Sequence, residues 1–205
     1  TFKHFRFNPV VRVYKSYIFS CCKFNPLNTG TCNSAVFFMK NFTISAFADE
    51  YDRNFDEQLF VLKSNGVGYL EPRFIGDKNV ADLTDEEAYA VKEKLDKNGI
   101  KVFSVGSPIG KISLDEEEKH FNICNRVFKT AKILGAKYVR VFSFYIPEGK
   151  TRESVREKVF SLMEKTLDLA DGYGLTLCHE NEADVYGESP ERCKEILDFF
   201  EGKLK

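Results

Sequence analysis

The stretch LTLCHENEADVYG, residues 175–187, runs from an apolar strand pattern into His179, Glu180, Asn181 and Glu182. A carboxylate at the end of a strand can ligate a hard or borderline divalent cation, or act as a base whose pKa its surroundings tune. Strand side chains alternate between faces. His179 therefore points away from Glu180, and the two are not expected to share one metal ion; nearby backbone is the expected partner of the imidazole. The structural alternative for Glu180 is an ion pair across to a neighbouring strand, with Arg140 as partner. Glu182 falls on the Glu180 face if the strand persists, and is a solvated loop acid if the chain turns.

Four other residues invite the same double reading. Arg140 sits inside the apolar run YVRV, where a lone charge would be costly, so it needs a carboxylate or an anionic substrate group. Glu71 and Arg73 share one face of a strand and are either an ion pair or substrate contacts. Lys111 lies in the loop GSPIGKI, where a cation suits phosphate or hydroxyl groups and otherwise faces solvent. The run EEEK at 116–119 reads as a solvated helix face.

These residues are carried by a repeating unit. TISAFAD (43–49), GYLEPRFI (68–75), IKVFSVG (100–106), KYVRVFSF (137–144) and LTLCHE (175–180) have strand character. Between them lie helical patterns over 54–66, 83–99, 114–135 and 152–172, and a last one opens at Ser189-Pro190. Thr84 and Glu87 form a capping-box signature, and Ser-Pro is a good N-cap and first-turn pair. Gly66, Gly99, Gly135 and Gly174 recur at spacings of 33, 36 and 39, each followed closely by an apolar strand. Such alternation predicts a parallel α/β sheet with right-handed crossovers. No GxGxxG or GxxxxGK[ST] follows the first strand, which speaks against a nucleotide-binding open sheet.

Placing Ile44, Leu70, Val139, Val141, Leu175 and Leu177 against helices puts Ser45, Asp49, Glu71, Arg73, Arg140, Thr176, Cys178, Glu180 and Glu182 on the other face. Sheets covered by helices on both sides normally read apolar throughout. One face here turns polar toward the C-terminal strand ends, where a TIM barrel keeps its active site. The third strand is ambiguous between a Ser104/Gly106 face and a Phe103/Val105/Ser107 face. The expected fold is a (βα)8 TIM-barrel type, present as an incomplete barrel of about five units, since a whole barrel takes eight units and roughly 250 residues. The chain is expected to be an N-terminal fragment of a longer protein.

Composition narrows the partners. Of 30 Lys+Arg and 31 Asp+Glu, residues 39–205 hold 25 and 31, a net of −6, with His120 and His179 as their histidines. That balance argues against nucleic acid as a partner. No apolar run reaches the roughly 18 to 20 residues of a transmembrane helix. The six cysteines make no CxxC and no Cys/His zinc spacing, so a reducing, cytoplasmic setting fits. Residues 1–38 contain no acid and no sustained period, and the first acid is Asp49. They are expected to lie outside the fold, as upstream sequence translated with the gene or as a targeting peptide. Residues 39–205 are expected to form the domain. No feature points to a particular oligomeric state.

From Met39 onward the chain resembles the sugar phosphate isomerase/epimerase family of xylose-isomerase-like TIM barrels. The resemblance rests on ISAFADE, GSPIGKI, YVRVFSFY and LCHENEADVYGESPERC in that order. It implies aldose–ketose isomerisation or epimerisation of a small sugar or sugar phosphate. It also implies a divalent metal (Mn²⁺, Mg²⁺, Co²⁺ or Zn²⁺) that holds vicinal oxygens, and a carboxylate that moves the proton beside the carbonyl. By the same resemblance Glu180, followed by Asn181, is a metal ligand, and the remaining ligands lie on strands six to eight. The 205-residue chain is therefore expected to be inactive alone. The competing functions are an apurinic-endonuclease-like metal phosphodiesterase, which would favour a basic surface, and a non-catalytic sugar-binding relic.

Overall fold

The computed structural model describes residues 11–14, by their backbone, and 43–205. The expectation for residues 1–38 falls, apart from 11–14, outside the described residues. Strands are β1 (Val11–Tyr14), β2 (Thr43–Ala46), β3 (Tyr69–Leu70), β4 (Phe74–Ile75), β5 (Lys78–Asn79), β6 (Lys101–Val102), β7 (Ser104–Gly106), β8 (Tyr138–Val141) and β9 (Thr176–His179). The described helices are α1 (Phe55–Ser64), α2 (Asp85–Asn98), α3 (Glu117–Leu134), α4 (Arg152–Gly172) and α5 (Pro190–Phe199).

Strands β2, β3, β6–β7, β8 and β9 lie side by side in chain order, all parallel, each followed by a helix. This is the (βα) series of a TIM barrel, and the barrel is not closed among the described residues. On one edge β1 runs antiparallel to β2, with Arg12 opposite Ser45. On the other, the amide of Lys205 donates to the Leu177 carbonyl and its carbonyl accepts from His179 N–H, at 3.0 and 2.6 Å.

Local chemistry explains the boundaries. Thr84 and Glu87 close the capping box, and Gly99 and Gly135 take left-handed φ values of 67° and 76° at the C-caps of α2 and α3. Thr151 and Ser154 make a second, reciprocal cap at the start of α4. Ser189 caps α5 with Pro190 in its first turn. The second expected strand, 68–75, breaks instead at Pro72, which has no N–H to pair. Beyond it β4 and β5 form a separate small hairpin. The first strand stops at Ala46 and continues as a 3₁₀ turn over Ala48–Glu50.

The third strand settles its own ambiguity by a bulge. Tyr69 pairs with Lys101, placing Phe103 on the Tyr69 face, and the Phe103 ring lies 6.0 Å from Tyr69 and 5.3 Å from Tyr138. Ser104 is itself in register with Tyr138. Two consecutive residues thus share one face, and the alternation slips by one. Gly106 then lies level with Arg140 and Cys178.

On the helix side, Leu59 and Leu62 of α1, Val91 and Leu95 of α2, Val127 and Phe128 of α3, and Val159 and Met163 of α4 bury against Leu70, Val102, Val139, Val141 and Leu177. Full burial of each such side chain contributes on the order of 1.5–3 kcal/mol. No helix among the described residues is long and apolar enough to cross a membrane.

Candidate functional site

The C-terminal strand ends bring the sequence-selected residues to one rim. Glu71, just past β3, is 2 % exposed and accepts a 2.5 Å hydrogen bond from Ser45 Oγ of β2. Arg73 turns to the end of β2. Its Nε donates to both Asp49 carboxylate oxygens at 3.1–3.2 Å, and its Nη2 lies 3.0 Å from Asp49 and 3.0 Å from Glu50. The Asp49 side chain is 4 % exposed. The guanidinium also stacks over Phe47, 4.5 Å from the ring centre. Arg73 is thus ion-paired with Asp49 and Glu50, which lie in the 3₁₀ turn after β2.

Arg140 of β8 is likewise held. Its Nη2 donates to the Ser107 carbonyl at 3.2 Å, and its Nη1 is 3.8 Å from Glu180 Oε1. It lies 4.9 Å from the Phe142 ring centre and 5.7 Å from that of Phe47. Glu180 follows β9 directly, its amide donating to the Val141 carbonyl. Lys111 crosses from the GSPIGKI loop to Glu182, Nζ to Oε2 at 2.6 Å, above the face of Phe142. That hydrogen bond holds the Glu182 carboxyl below its usual range. Glu182 is therefore a paired rim acid.

His179 takes the opposite face from Glu180. Its ring packs on Gly187, where an added Cβ would lie 2.5 Å from Cε1 and 2.8 Å from Nε2. Nε2 is buried without a hydrogen-bond partner among the described residues, so the expected backbone bond is not made by that nitrogen. Burial pushes its pKa down to about 4. The EEEK run is a clamp between helices more than a free face: Glu117 receives Lys158 and Lys165 of α4 at 2.8 and 2.7 Å, bonds that lower its pKa to about 2.

Several contributors escaped sequence reasoning. Phe47 and Phe142 floor the rim, but an aromatic near a strand end reads as core. Gly106 leaves room for Arg73, since a Cβ there would meet Arg73 Cγ at 2.6 Å and Phe47 Cε1 at 3.1 Å. Phe144 adopts φ 67°, a costly conformation for a bulky residue. It is fixed by its N–H to the Gly110 carbonyl and by its own carbonyl to Tyr186 N–H. Those bonds join the Lys111 loop to the segment after Glu182. In the structure Gly110 and Gly187 permit the close approaches, a Cβ at Gly110 meeting the Phe142 carbonyl and one at Gly187 meeting His179 and Ser143.

No group of three His, Cys, Asp or Glu among the described residues is disposed to hold a metal ion. Glu180 is one accessible donor, 24 % exposed at its side chain. Among the described residues a resident metal would find too few donors.

The C-terminal strand ends of an open parallel α/β barrel thus carry a carboxylate-rich rim among the described residues. The family described as xylose isomerase-like TIM barrel matches residues 59–203, and the chain belongs to it. Among solved structures, the fold is similar to that of the IolI protein with a bound zinc atom. Identity there is 22%, TM-score 0.58, and the match covers 72% of this chain and 54% of that one. It is similar, too, to a xylose isomerase-like TIM barrel protein from Mycobacterium smegmatis in complex with magnesium (16%, 0.58, 72% and 53%). A third is D-psicose 3-epimerase with D-tagatose from Clostridium cellulolyticum (15%, 0.56, 72% and 55%). At these identities the likeness concerns the fold. The chain spans about half the length of these relatives. No curated protein sequence matches it.

Proposed function

We propose that this chain contributes strand–helix units to a metal-dependent isomerase or epimerase that moves a proton beside the carbonyl of a sugar or sugar phosphate. The observation that carries the reading is Glu180. It is a carboxylate at the mouth of a barrel of this family, directly after β9 and loosely approached by Arg140 at 3.8 Å. A carboxylate so placed can accept a proton or ligate a cation. Arg140, Lys111, Glu71, Arg73 and Glu182 form the substrate-facing rim in this reading. In this reading the metal takes further ligands besides Glu180, and the 205-residue chain is inactive alone. Residues 39–205 are the barrel unit. The cytoplasm is the proposed compartment.

A phosphodiesterase is less well supported, because carboxylates outnumber cations at the rim. The test is incorporation of deuterium from D₂O beside the carbonyl of simple ketoses, followed by NMR with Mn²⁺, Mg²⁺, Co²⁺ or Zn²⁺ added. The completed barrel should exchange and its Glu180→Gln variant should not. Equal exchange by both would refute the role of Glu180, and sugar binding without exchange would mark a non-catalytic relic.

A further inference from the structure

Between β9 and α5 the chain makes a short excursion that carries Glu182 to Lys111. Its start is fixed by the Glu180 amide on the Val141 carbonyl at 3.0 Å. Its end is fixed at Tyr186 and Gly187. The Tyr186 amide donates to the Phe144 carbonyl at 3.0 Å, and the Gly187 amide donates to Ser143 Oγ at 2.7 Å. These bonds join the excursion to the loop after β8, which is itself strained at Phe144, φ 67°. The Gly187 carbonyl accepts from Cys193 Sγ at 3.1 Å, and a thiol is a weak donor. Tyr186 is fully buried, with its ring edge-on to Phe160 of α4. An unmet hydroxyl would be costly there.

The phenol donates to Glu195 Oε2 of α5 at 2.9 Å. Glu195 is held in turn by Arg156 of α4, Nε to Oε1 at 2.6 Å, and by Arg192, Nη1 to Oε2 at 2.8 Å. Arg192 Nη1 also donates to the Tyr186 oxygen at 3.2 Å. A carboxylate gripped by two guanidinium groups cannot swing freely, and the bond it accepts from the phenol is charge-assisted. Burial, and then the Glu195 bond, push the Tyr186 pKa above its usual value, so the hydroxyl stays a donor. One hydroxyl therefore ties the excursion to two helices. We propose that Tyr186 is a positioning residue: its hydroxyl, anchored on Glu195 between α4 and α5, sets the path of residues 181–185 and so holds Glu182 on Lys111 at 2.6 Å. The consequence for catalysis rests on the isomerase reading, while the anchoring rests on these bonds alone.

The experiment follows the Lys111 ammonium protons by NMR in the 205-residue chain, where the bond to Glu182 slows their exchange with water. Tyr186→Phe removes the hydroxyl and keeps the ring. It should accelerate that exchange at least about threefold, within the range of coupling between residues of one hydrogen-bonded network. Glu195→Gln, which removes the charged acceptor, should act in the same direction. Phe160→Leu loosens the packing of the same ring without touching the hydroxyl, and should lower stability while leaving Lys111 exchange unchanged. A folded Tyr186→Phe chain with native Lys111 exchange would overturn the proposal. So would a Phe160→Leu chain that accelerates it equally. If Tyr186→Phe does not fold, Glu195→Gln decides by the same two outcomes. In the completed barrel Tyr186→Phe should lower kcat for deuterium exchange by up to about 10²-fold, the cost of a misplacement of about 1 Å, with KM unchanged. A native barrel without deuterium exchange would remove the isomerase reading and leave the Lys111 measurement to decide the anchor.

Discussion

The two ends of the rim solve the same problem differently. At the β2–β3 end, Arg73 is gripped by Asp49 and Glu50 through contacts of 3.0–3.2 Å, and Asp49 is nearly sealed from solvent. At the β8–β9 end, Arg140 and Glu180 stand 3.8 Å apart, and Arg140 leans on a backbone carbonyl and two rings. A tight, multidentate pair fixes geometry and leaves no carboxylate to spare. At 3.8 Å the second pair keeps a charged cation close to its carboxylate. In the proposed reading the first end fixes the geometry of the rim and the second carries the proton transfer.

The largest test of this contrast is Glu180→Gln. It should lower proton exchange in the completed barrel by about 10²–10⁴-fold, the usual weight of a general acid–base group, while urea unfolding changes by less than about 1 kcal/mol. A stability loss as large as the rate loss would erase the distinction. Arg73→Leu should do the reverse. Leaving Asp49 buried without its cation should cost about 2 kcal/mol, less than for a fully buried pair because Arg73 is a quarter exposed. Thermal denaturation measures it.

Acid should separate the ends again. His179 beside Glu180 is neutral in the folded protein, its pKa lowered by burial to about 4, against about 6.5 when unfolded. A depressed folded pKa means that its stabilisation is complete above pH 6.5 and is lost as pH falls toward 4, where the unfolded chain binds the extra proton. Hydrogen exchange of the Leu177 and His179 amides should therefore accelerate between pH 6.5 and 4 by about tenfold more than intrinsic chemistry requires, roughly 1.4 kcal/mol. The β2–β3 amides should follow it less. Uniform acceleration would break the comparison. The buried His120, bonded to Thr166 and also lowered to about 4, adds the same slope to global stability. The smallest effect is expected from Gly106→Ala. Its Cβ would press on the Arg73 stem and cost about 1 kcal/mol, with Arg73 shifted in a crystal structure of the variant.

Much of this was legible in the residues. The helix–strand alternation, the Thr84/Glu87 cap, the Ser189-Pro190 start and the opposition of His179 and Glu180 follow from periods of 3.6 and 2 and from local hydrogen bonding. The pairing of Arg140 with Glu180 was one of two readings, and the register of β8 with β9 realises it. The break at Pro72 was missed because the apolar run continued through it. The third strand was undecidable because its bulge at Phe103 answers to two different neighbours, β3 before it and β8 after it.

By itself the sequence determined the repeat, the caps and which carboxylates could face the axis, because these depend on residues within a few positions of each other. Only the tertiary structure decided that Arg73 goes to Asp49 and Glu50, that Lys111 goes to Glu182 across 71 positions, and that Arg140 is left looser than either. Ion-pair choice depends on distances of a few ångströms between strand ends. Those distances are set by register, by the bulge, by Gly106, which leaves room for the Arg73 and Phe47 side chains, and by Gly110, which lets its backbone approach that of Phe142.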